Sequence, residues 1–276
     1  MDAAYWNGKA GVYEEEIFNV WEGDRDGTLK SFFERGEFRS QTVLDCGCGI
    51  GHGIATLAKH FKSVHAVDIS KECLTVAQER HGSLANVKFF AADLAKRSSA
   101  LPAADCAVSI NSVITPSLKT RMKMLKNIRE HLKPGGLLVL VVPSLESYYY
   151  ASYKLIEWKL REGAGGVLRF GHEPLFKGHG VLPIDGVLTK HYLREELISF
   201  LRLVGFEVEE VQKIRYDWDT EYENPPRWMR EPYPWDWMCV ARRQSSKRKE
   251  KEIKTTDHDQ KTQGGVWQNV RISTRS

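Results

Sequence analysis

Residues 43–51 read Val-Leu-Asp-Cys-Gly-Cys-Gly-Ile-Gly, and this stretch decides the fold. Its apolar start predicts a buried strand that ends in Asp45 and three alternate glycines, followed by a helix-like stretch over residues 54–60. Glycines at a strand-to-helix turn let the backbone bend sharply and approach a ligand closely, because no Cβ stands in the way. A second strand, residues 64–67, leads into Asp68, at the spacing expected of a carboxylate that binds a ribose diol. Together these features predict a nucleoside site at the carboxyl edge of a parallel sheet.

The glycine pattern indicates which nucleoside is bound. A dinucleotide fingerprint needs a third glycine at the position of His52, and a carboxylate beside a pyrophosphate would be repelled. Asp45 would instead attract an ammonium or a sulfonium group. With this acid ahead of Gly47, Gly49 and Gly51, the pattern resembles the first motif of the class I S-adenosylmethionine-dependent methyltransferases. The resemblance is to small-molecule members of that family, and it implies S-adenosyl-L-methionine as the cofactor.

The resemblance also implies a role for each of these residues. The backbone around Gly47 and Gly49 would lie against the methionyl part of the cofactor, and Asp45 would orient its ammonium group. Asp68 would accept hydrogen bonds from both ribose hydroxyls, although an acid two residues before Ser70 is also typical of a helix N-cap arrangement. The cofactor-binding residues that the resemblance implies are Asp45, Gly47, Cys48, Gly49, Gly51, Asp68, Ile69, Asp93, Leu94, Asn111, Trp6 and Tyr13.

Asp93 and Asn111 follow the third and fourth predicted strands. Members of the family often place an acid near the adenine amino group at the position of Asp93, although an aspartate there also forms turns. Residues just after the fourth strand border the reactive methyl group in the family. DNA amino methyltransferases carry an Asn/Asp-Pro-Pro-aromatic signature at this point, whereas residues 111–114 read Asn-Ser-Val-Ile. The sequence therefore predicts that DNA is not the substrate.

Aromatic residues near the N-terminus and two histidines complete the candidate site. Trp6 and Tyr13 resemble the aromatic start of small-molecule members, which folds over the cofactor. A hydrophobic staple on the first helix is the structural alternative. A nucleophile that carries a proton is helped by a base, and His172 and His179 lie in a glycine-rich segment that suits a lid. Both histidines are also typical of a surface loop.

Alternating strand and helix signals predict an α/β fold, with a Rossmann-like, seven-stranded, mostly parallel sheet and helices on both faces. Strands are predicted at residues 42–46, 64–68, 87–90, 105–110, 137–142, 206–212 and 235–241. Helices are predicted at residues 12–21, 27–35, 52–60, 71–80, 118–132 and 190–204. Lys-Pro-Gly-Gly at residues 133–136 predicts a helix stop and a turn before the fifth strand, which is also a feature of the family.

The methyltransferase domain is predicted to span residues 1–243, with two insertions and a tail. Residues 144–188 predict a partly helical substrate cap, with a helix over residues 148–160. Residues 215–234 interleave aromatic side chains with carboxylates. That mixture suits a cationic or amine substrate, or else a solvated acidic strand edge with packed aromatics. Residues 244–276 lack apolar periodicity and predict a disordered basic tail.

Composition and charge restrict the remaining classes of function. The net charge is +4, but residues 242–254 carry +5 and residues 255–276 carry +1, so the body carries −2. A basic tail on a mildly acidic body does not indicate a nucleic-acid-binding face. No apolar run is long enough to span a bilayer and no signal peptide is apparent, so we expect a cytoplasmic location. Cys46 and Cys48 lack a second ligand pair at zinc-site spacing, so no metal site is predicted.

The sequence therefore predicts an S-adenosylmethionine-dependent methyltransferase that acts on a small-molecule acceptor by in-line methyl transfer. A non-catalytic S-adenosylmethionine-binding protein and a nicotinamide-dependent oxidoreductase are the alternatives. The acceptor, its reacting atom (oxygen, nitrogen, sulfur or carbon) and the oligomeric state stay open.

Overall fold

A seven-stranded sheet carries the candidate site. The computed structural model describes residues 1–162, 179–184 and 186–244, and Met1–Arg243 forms one compact unit. The strands are β1 (Thr42–Cys46), β2 (Ser63–Asp68), β3 (Val87–Ala91), β4 (Ala104–Ile110), β5 (Leu132–Pro143), β6 (Val181–Ile184), β7 (Val187–Lys190), β8 (Phe206–Arg215) and β9 (Trp235–Arg243). The large sheet has the order β3-β2-β1-β4-β5-β9-β8, and β6 pairs with β7 in a separate hairpin.

The pairing of the strands brings the functional residues to one edge of the sheet. β1 to β5 run parallel to their neighbours, while β9 runs antiparallel to both β5 and β8. Asp45 and Asp68 lie at the carboxyl ends of neighbouring strands, where open α/β sheets bind their ligands. The predicted Rossmann-like, mostly parallel sheet is confirmed.

Helices cover both faces of this sheet. Alternate residues of β5 contact different helices. Leu138 and Leu140 pack with residues of two helices on one face. Leu137 and Val139 pack with residues of three other helices on the opposite face. No helix in residues 1–162, 179–184 and 186–244 has both the length and the apolar character to cross a bilayer. The helices are α1 (Ala3–Lys9), α2 (Tyr13–Glu16), α3 (Val20–Gly23), α4 (Thr28–Arg35), α5 (Ile54–His60), α6 (Lys71–His81), α7 (Leu118–His131), α8 (Leu145–Arg161) and α9 (Arg194–Leu203), with short 3-10 helices at Ala10–Val12 and Trp218–Thr220.

The helix predicted over residues 12–21 is wrong. This part of the chain contains the short helices α2 and α3, and the backbone of Ile17 between them is extended. The side chain of Asn19 accepts a hydrogen bond from the N–H of Trp21 and so caps α3. Asparagine competes in this way with helix continuation, because its side chain satisfies backbone donors locally. The N-terminal segment therefore bends between α2 and α3.

Two other predicted boundaries differ from the structure. The helix predicted over residues 190–204 begins only at Arg194, because Lys190 ends β7 and Tyr192 pairs with Ser144 in a parallel bridge. The turn predicted at residues 133–136 is an irregularity inside β5 rather than its boundary. Ala104 pairs with Leu132 whereas the next paired residue of β4 lies opposite Leu137, so the residues between bulge out.

The two predicted insertions are partly described. The helix predicted over residues 148–160 is present and longer, as α8, and the β6–β7 hairpin follows it after residues 163–178, which lie outside the described part of the chain. The role of residues 144–188 as a cap stays a prediction. In the aromatic insertion, Trp218 and Met229 pack with Ala151 of α8 in a small core. The predicted tail lies outside the described residues from position 245 onward.

Candidate active site

The turn after β1 has a backbone shape that glycine adopts most readily. Gly47, Gly49 and Gly51 have φ angles of +81°, +53° and +94°. A Cβ on Gly49 would lie 2.4 Å from the hydroxyl oxygen of Tyr13, and one on Gly47 would lie 2.4 Å from the Cβ of Ser112. The glycines are therefore required both by the turn itself and by the side chains packed over it.

This glycine turn is fixed to the end of β2. The N–H of Gly47 donates to the carbonyl of Val67 at 2.7 Å, and the N–H of Gly49 donates to the carboxylate of Asp68 at 2.9 Å. The other oxygen of Asp68 accepts from the N–H of Ser70 at 2.8 Å, and Ser70 caps α6. Asp68 thus stabilises two turns, and each of its oxygens keeps a second lone pair for a ligand.

Asp45 and Asp68 form a buried acidic pair. Burial raises the pKa of Asp45 to about 7, and the carboxylate of Asp68 adds to the rise. Burial also raises the pKa of Asp68, although the hydrogen bonds from Ser70 and Gly49 oppose that change. No described residue donates a hydrogen bond to the carboxylate of Asp45. A cation beside this pair would stabilise the ionised acids and lower both pKa values.

A cavity of about 970 Å³ opens beside the acidic pair. All but one of the predicted cofactor-binding residues line it, namely Trp6, Tyr13, Asp45, Gly47, Cys48, Gly49, Asp68, Ile69, Asp93, Leu94 and Asn111. The exception is Gly51, where an added Cβ would meet His81 and Ile54 at 2.8 and 3.1 Å. Gly51 therefore serves the packing of the turn rather than the wall of the cavity.

The N-terminal segment covers the glycine turn. Trp6 and Tyr13 both line the cavity, and their ring centroids lie 6.4 Å apart. Glu14 holds this segment in place, because its carboxylate contacts His52 at 2.9 Å and also pairs with Arg80. His52, which stands where a dinucleotide fingerprint has its third glycine, thus binds the N-terminal segment instead.

Asp93 fits both interpretations that the sequence allowed. Its carboxylate accepts from the N–H of Ala95 at 2.8 Å, as in a turn, and lies 3.3 Å from the Nζ of Lys96. It also lines the cavity beside Leu94. Asp93 therefore shapes the turn after β3 and faces the same space as Asp68.

Of the two histidines expected to act as bases, the structure describes His179. His172 lies outside the described part of the chain. His179 is exposed and is absent from the cavity lining, and its carbonyl accepts from the Nζ of Lys190 at 2.6 Å. β6 starts just after His179, and from the β6–β7 hairpin Ile184, Val187 and Thr189 line the cavity instead.

His191 lines the cavity and was missed by sequence reasoning. Burial lowers the pKa of His191 to about 4, so the ring is neutral near pH 7. Its Nδ1 lies 3.2 Å from the carbonyl oxygen of Thr189, and a carbonyl only accepts, so Nδ1 carries the proton. Nε2 is then an acceptor. The only sequence signal was a histidine three residues after the predicted cap.

Asp236 is a second residue that sequence reasoning missed. It lies in β9, opposite Pro143, and is 8% exposed on the cavity wall. Its Oδ2 accepts from the Nδ2 of Asn111 at 3.1 Å and from the hydroxyl of Tyr216 at 2.9 Å. Burial raises the pKa of Asp236, against the effect of these donors. The pairing of β9 with β5 spans some 90 residues of chain, so local pattern gives no signal for it.

Comparison with known proteins agrees with this geometry. A family model described as "Methyltransferase domain" matches residues 43–136, which include the glycine turn and both acids. The chain is 27% identical over 145 residues to a trans-aconitate 2-methyltransferase of Deinococcus radiodurans, covering 51% of this chain and 52% of that protein. It is 28% identical over 163 residues to a malonyl-[acyl-carrier protein] O-methyltransferase of Halalkalibacterium halodurans, covering 56% and 58% respectively. The chain thus spans a little over half the length of these curated relatives.

Solved structures share the fold. A magnesium protoporphyrin IX methyltransferase from Synechocystis PCC 6803 with bound S-adenosylhomocysteine has a TM-score of 0.54 at 17% identity, covering 87% of this chain and 97% of that one. A complex titled DhpI-SAM-HEP has a TM-score of 0.59 at 18% identity, covering 87% and 94%. The predicted resemblance to the class I S-adenosylmethionine-dependent methyltransferase family is confirmed by the match over residues 43–136.

Proposed function

We propose that this protein transfers a methyl group from S-adenosylmethionine to a small-molecule acceptor. The observation that carries the proposal is one continuous cavity with two unlike parts. One part is bounded by the glycine turn, Asp45 and Asp68, at the ends of β1 and β2. The other is bounded by Asn111, His191 and Asp236, at the ends of β4 and β7 and in β9. A methyl donor and an acceptor need such adjoining spaces to react.

The first part of the cavity fits the cofactor. Asp45 is a buried acid that receives no hydrogen bond from the described residues. The ammonium group in the methionyl part of the cofactor would supply such a donor. Asp68 keeps lone pairs for the two hydroxyls of a ribose. Ile69 and Leu94 offer apolar surface on the wall nearby, as an adenine ring requires. We therefore propose that these four residues hold S-adenosylmethionine.

The role of the protein in the reaction is then chiefly to align and to exclude water. When bound, the cofactor supplies an electrophilic methyl group on a sulfonium, so strong acid or base assistance is not essential. Trp6 and Tyr13 cover the glycine turn and shield that part of the cavity. Alignment of two bound reactants and removal of water are large contributions to rate.

The volume of the cavity supports a small-molecule acceptor. About 970 Å³ lies at the upper end of the range for small-molecule sites, so it can hold a nucleoside cofactor together with a small second ligand. Ser147 and Tyr148 at the start of α8, and Val187 and Thr189 from the hairpin, contribute to its wall. We propose on this ground that residues 144–188 act as the substrate cap. All five cysteines are free and buried, which supports the proposed cytoplasmic location.

A turnover assay on the full-length chain tests the proposal. The protein is incubated with S-adenosylmethionine and a small-molecule extract, and S-adenosylhomocysteine and products heavier by one methylene unit are measured by mass spectrometry. Formation of both supports the proposal. Binding of S-adenosylmethionine without any S-adenosylhomocysteine from any extract would favour the non-catalytic alternative. Binding of NAD in place of S-adenosylmethionine would favour the oxidoreductase.

A further inference from the structure

The part of the cavity beyond the proposed cofactor contains hydrogen-bond acceptors that need donors. The Nδ2 of Asn111 donates to Asp236, and this leaves the Oδ1 of Asn111 buried, with no partner in the described structure. An orphaned buried carbonyl costs free energy until a donor reaches it. Asp236 itself is a buried acid whose Oδ2 is oriented by Asn111 and Tyr216. The Nε2 of His191 is a third acceptor on the same wall.

From this arrangement we infer that the methyl acceptor is an amine, which enters as an ammonium ion and binds between Asn111, Asp236 and His191. The inference rests on the proposed function. An ammonium ion has several N–H donors and no acceptor, and it carries the charge that a buried carboxylate requires. Each of the three wall groups would then be satisfied by one ligand group.

The charge of the remaining wall agrees with a cationic ligand. Among described residues, Lys9 is the sole lysine or arginine on the cavity wall, and it is paired with Glu16. A carboxylate acceptor would therefore meet Asp236 and Glu221 without an unpaired lysine or arginine side chain on the described wall to compensate them. The aromatic rings of Tyr148 and Phe18 also line the cavity, and aromatic faces attract ammonium groups.

The reaction balances with these groups. The bound ammonium gives one proton to the carboxylate of Asp236, which passes it to water, and the neutral nitrogen is left with a lone pair. The nitrogen then forms a bond to the methyl carbon as the carbon–sulfur bond breaks, with the electron pair of that bond staying on sulfur. The product leaves as a methylated ammonium ion, and one proton has been released to solvent.

A binding experiment with three matched probes tests the inference. The full-length protein is saturated with S-adenosylhomocysteine, and its thermal shift is measured with phenethylamine, phenylacetate and 2-phenylethanol at equal concentration. These probes share size and ring and differ in the head group. We expect phenethylamine to raise the melting temperature most and phenylacetate least. Equal or stronger stabilisation by phenylacetate, or no stabilisation by phenethylamine, would overturn the inference.

Two variants and a control locate the effect. Asp236→Asn should weaken phenethylamine binding about tenfold or more, because it removes the buried charge. Glu221→Gln removes a charge from the exposed end of the wall and should weaken binding by about threefold without disturbing the core. Glu223→Gln removes the same charge from an exposed residue that does not line the cavity, and it should change nothing. If both Asp236→Asn and Glu221→Gln fold and bind phenethylamine as the native protein does, the amine site is wrong.

The failure of the inference and the failure of the proposed function give different results. If the native protein does not bind S-adenosylhomocysteine, the proposed function is contradicted. If the protein binds S-adenosylhomocysteine but does not prefer the amine probe, only the inference of an amine acceptor is contradicted.

Discussion

The two parts of the cavity are built in different ways. The part at β1 and β2 consists of a short run of sequence, in which the glycine turn and Asp68 are tied together by backbone hydrogen bonds. The part at β4, β7 and β9 consists of side chains that come from distant points of the chain, such as Asn111, His191 and Asp236. A local, backbone-built site tolerates little change, whereas a site built from scattered side chains can alter its ligand by single substitutions.

The largest effect is expected at the glycine turn. Gly49→Val should weaken S-adenosylhomocysteine binding by about 100-fold or more, because φ is +53° and the added side chain would collide with Tyr13. Isothermal titration calorimetry measures the change. Gly11→Val is the control, since a Cβ at Gly11 has no neighbour within 4 Å. Normal affinity in Gly49→Val would mean that the turn does not contact the cofactor.

Asp68 should show the next largest effect. Asp68→Asn is expected to weaken S-adenosylhomocysteine binding by about 1.5–3 kcal/mol for each hydrogen bond lost from the charged group. The melting temperature should also fall, because the carboxylate accepts from Gly49 and Ser70. Asp105→Asn is a matched control, since Asp105 also accepts from a backbone N–H, that of Thr42, but does not line the cavity. The control should lose stability and keep its affinity; equal affinities in the two variants would exclude Asp68 from the site.

Cofactor affinity should depend on pH through Asp45. Its pKa of about 7 means that below pH 7 the acid must lose a proton before it can attract an ammonium group. S-Adenosylhomocysteine binding should therefore weaken by up to roughly tenfold per pH unit below 7 and level off above it. The free protein should behave in the opposite sense, because a carboxyl pKa raised by folding lowers stability as pH rises from about 4 to 7. Asp45→Asn should make both the affinity and the stability less dependent on pH. An affinity of the native protein that does not change with pH would contradict this role of Asp45.

A smaller effect should distinguish His191 from His179. His191→Asn should reduce the rate of methyl transfer about threefold to tenfold, the value of one hydrogen bond, while cofactor affinity is kept. His179→Asn should leave the rate unchanged, since His179 is exposed and does not line the cavity. Single-turnover rates compare the two. The reverse result would restore His179 as the base.

Truncation after Arg243 should have the smallest effect. The described strands and helices all end by this residue, so the melting temperature and the affinity for S-adenosylhomocysteine should stay the same. Differential scanning calorimetry and titration of the truncated and full-length chains measure both. A clear loss in either would show that the residues after Arg243 stabilise the domain or its site.

The sequence was sufficient for the cofactor part of the site because its signals are local. An acid, three glycines and a second acid follow two strands in order, and parallel pairing places them together without further information. It was not sufficient for the acceptor part. Asp236 reaches Asn111 only through the pairing of β9 with β5, and His191 reaches the cavity through the β6–β7 hairpin.

The N-terminal prediction was wrong for a related reason. Apolar spacing over residues 12–21 favours a helix, but the cap that Asn19 forms and the contacts of Glu14 with His52 and Arg80 favour a bent path over the glycine turn. Tertiary contacts of this kind are not contained in local spacing.

A crystal structure of the full-length protein with S-adenosylhomocysteine tests the division of the cavity most directly. We expect the ribose hydroxyls on Asp68, the ammonium group toward Asp45, and the sulfur facing the space between Asn111 and Asp236. A ligand that occupies the Asn111–Asp236 part, or one whose sulfur points away from it, would contradict the account.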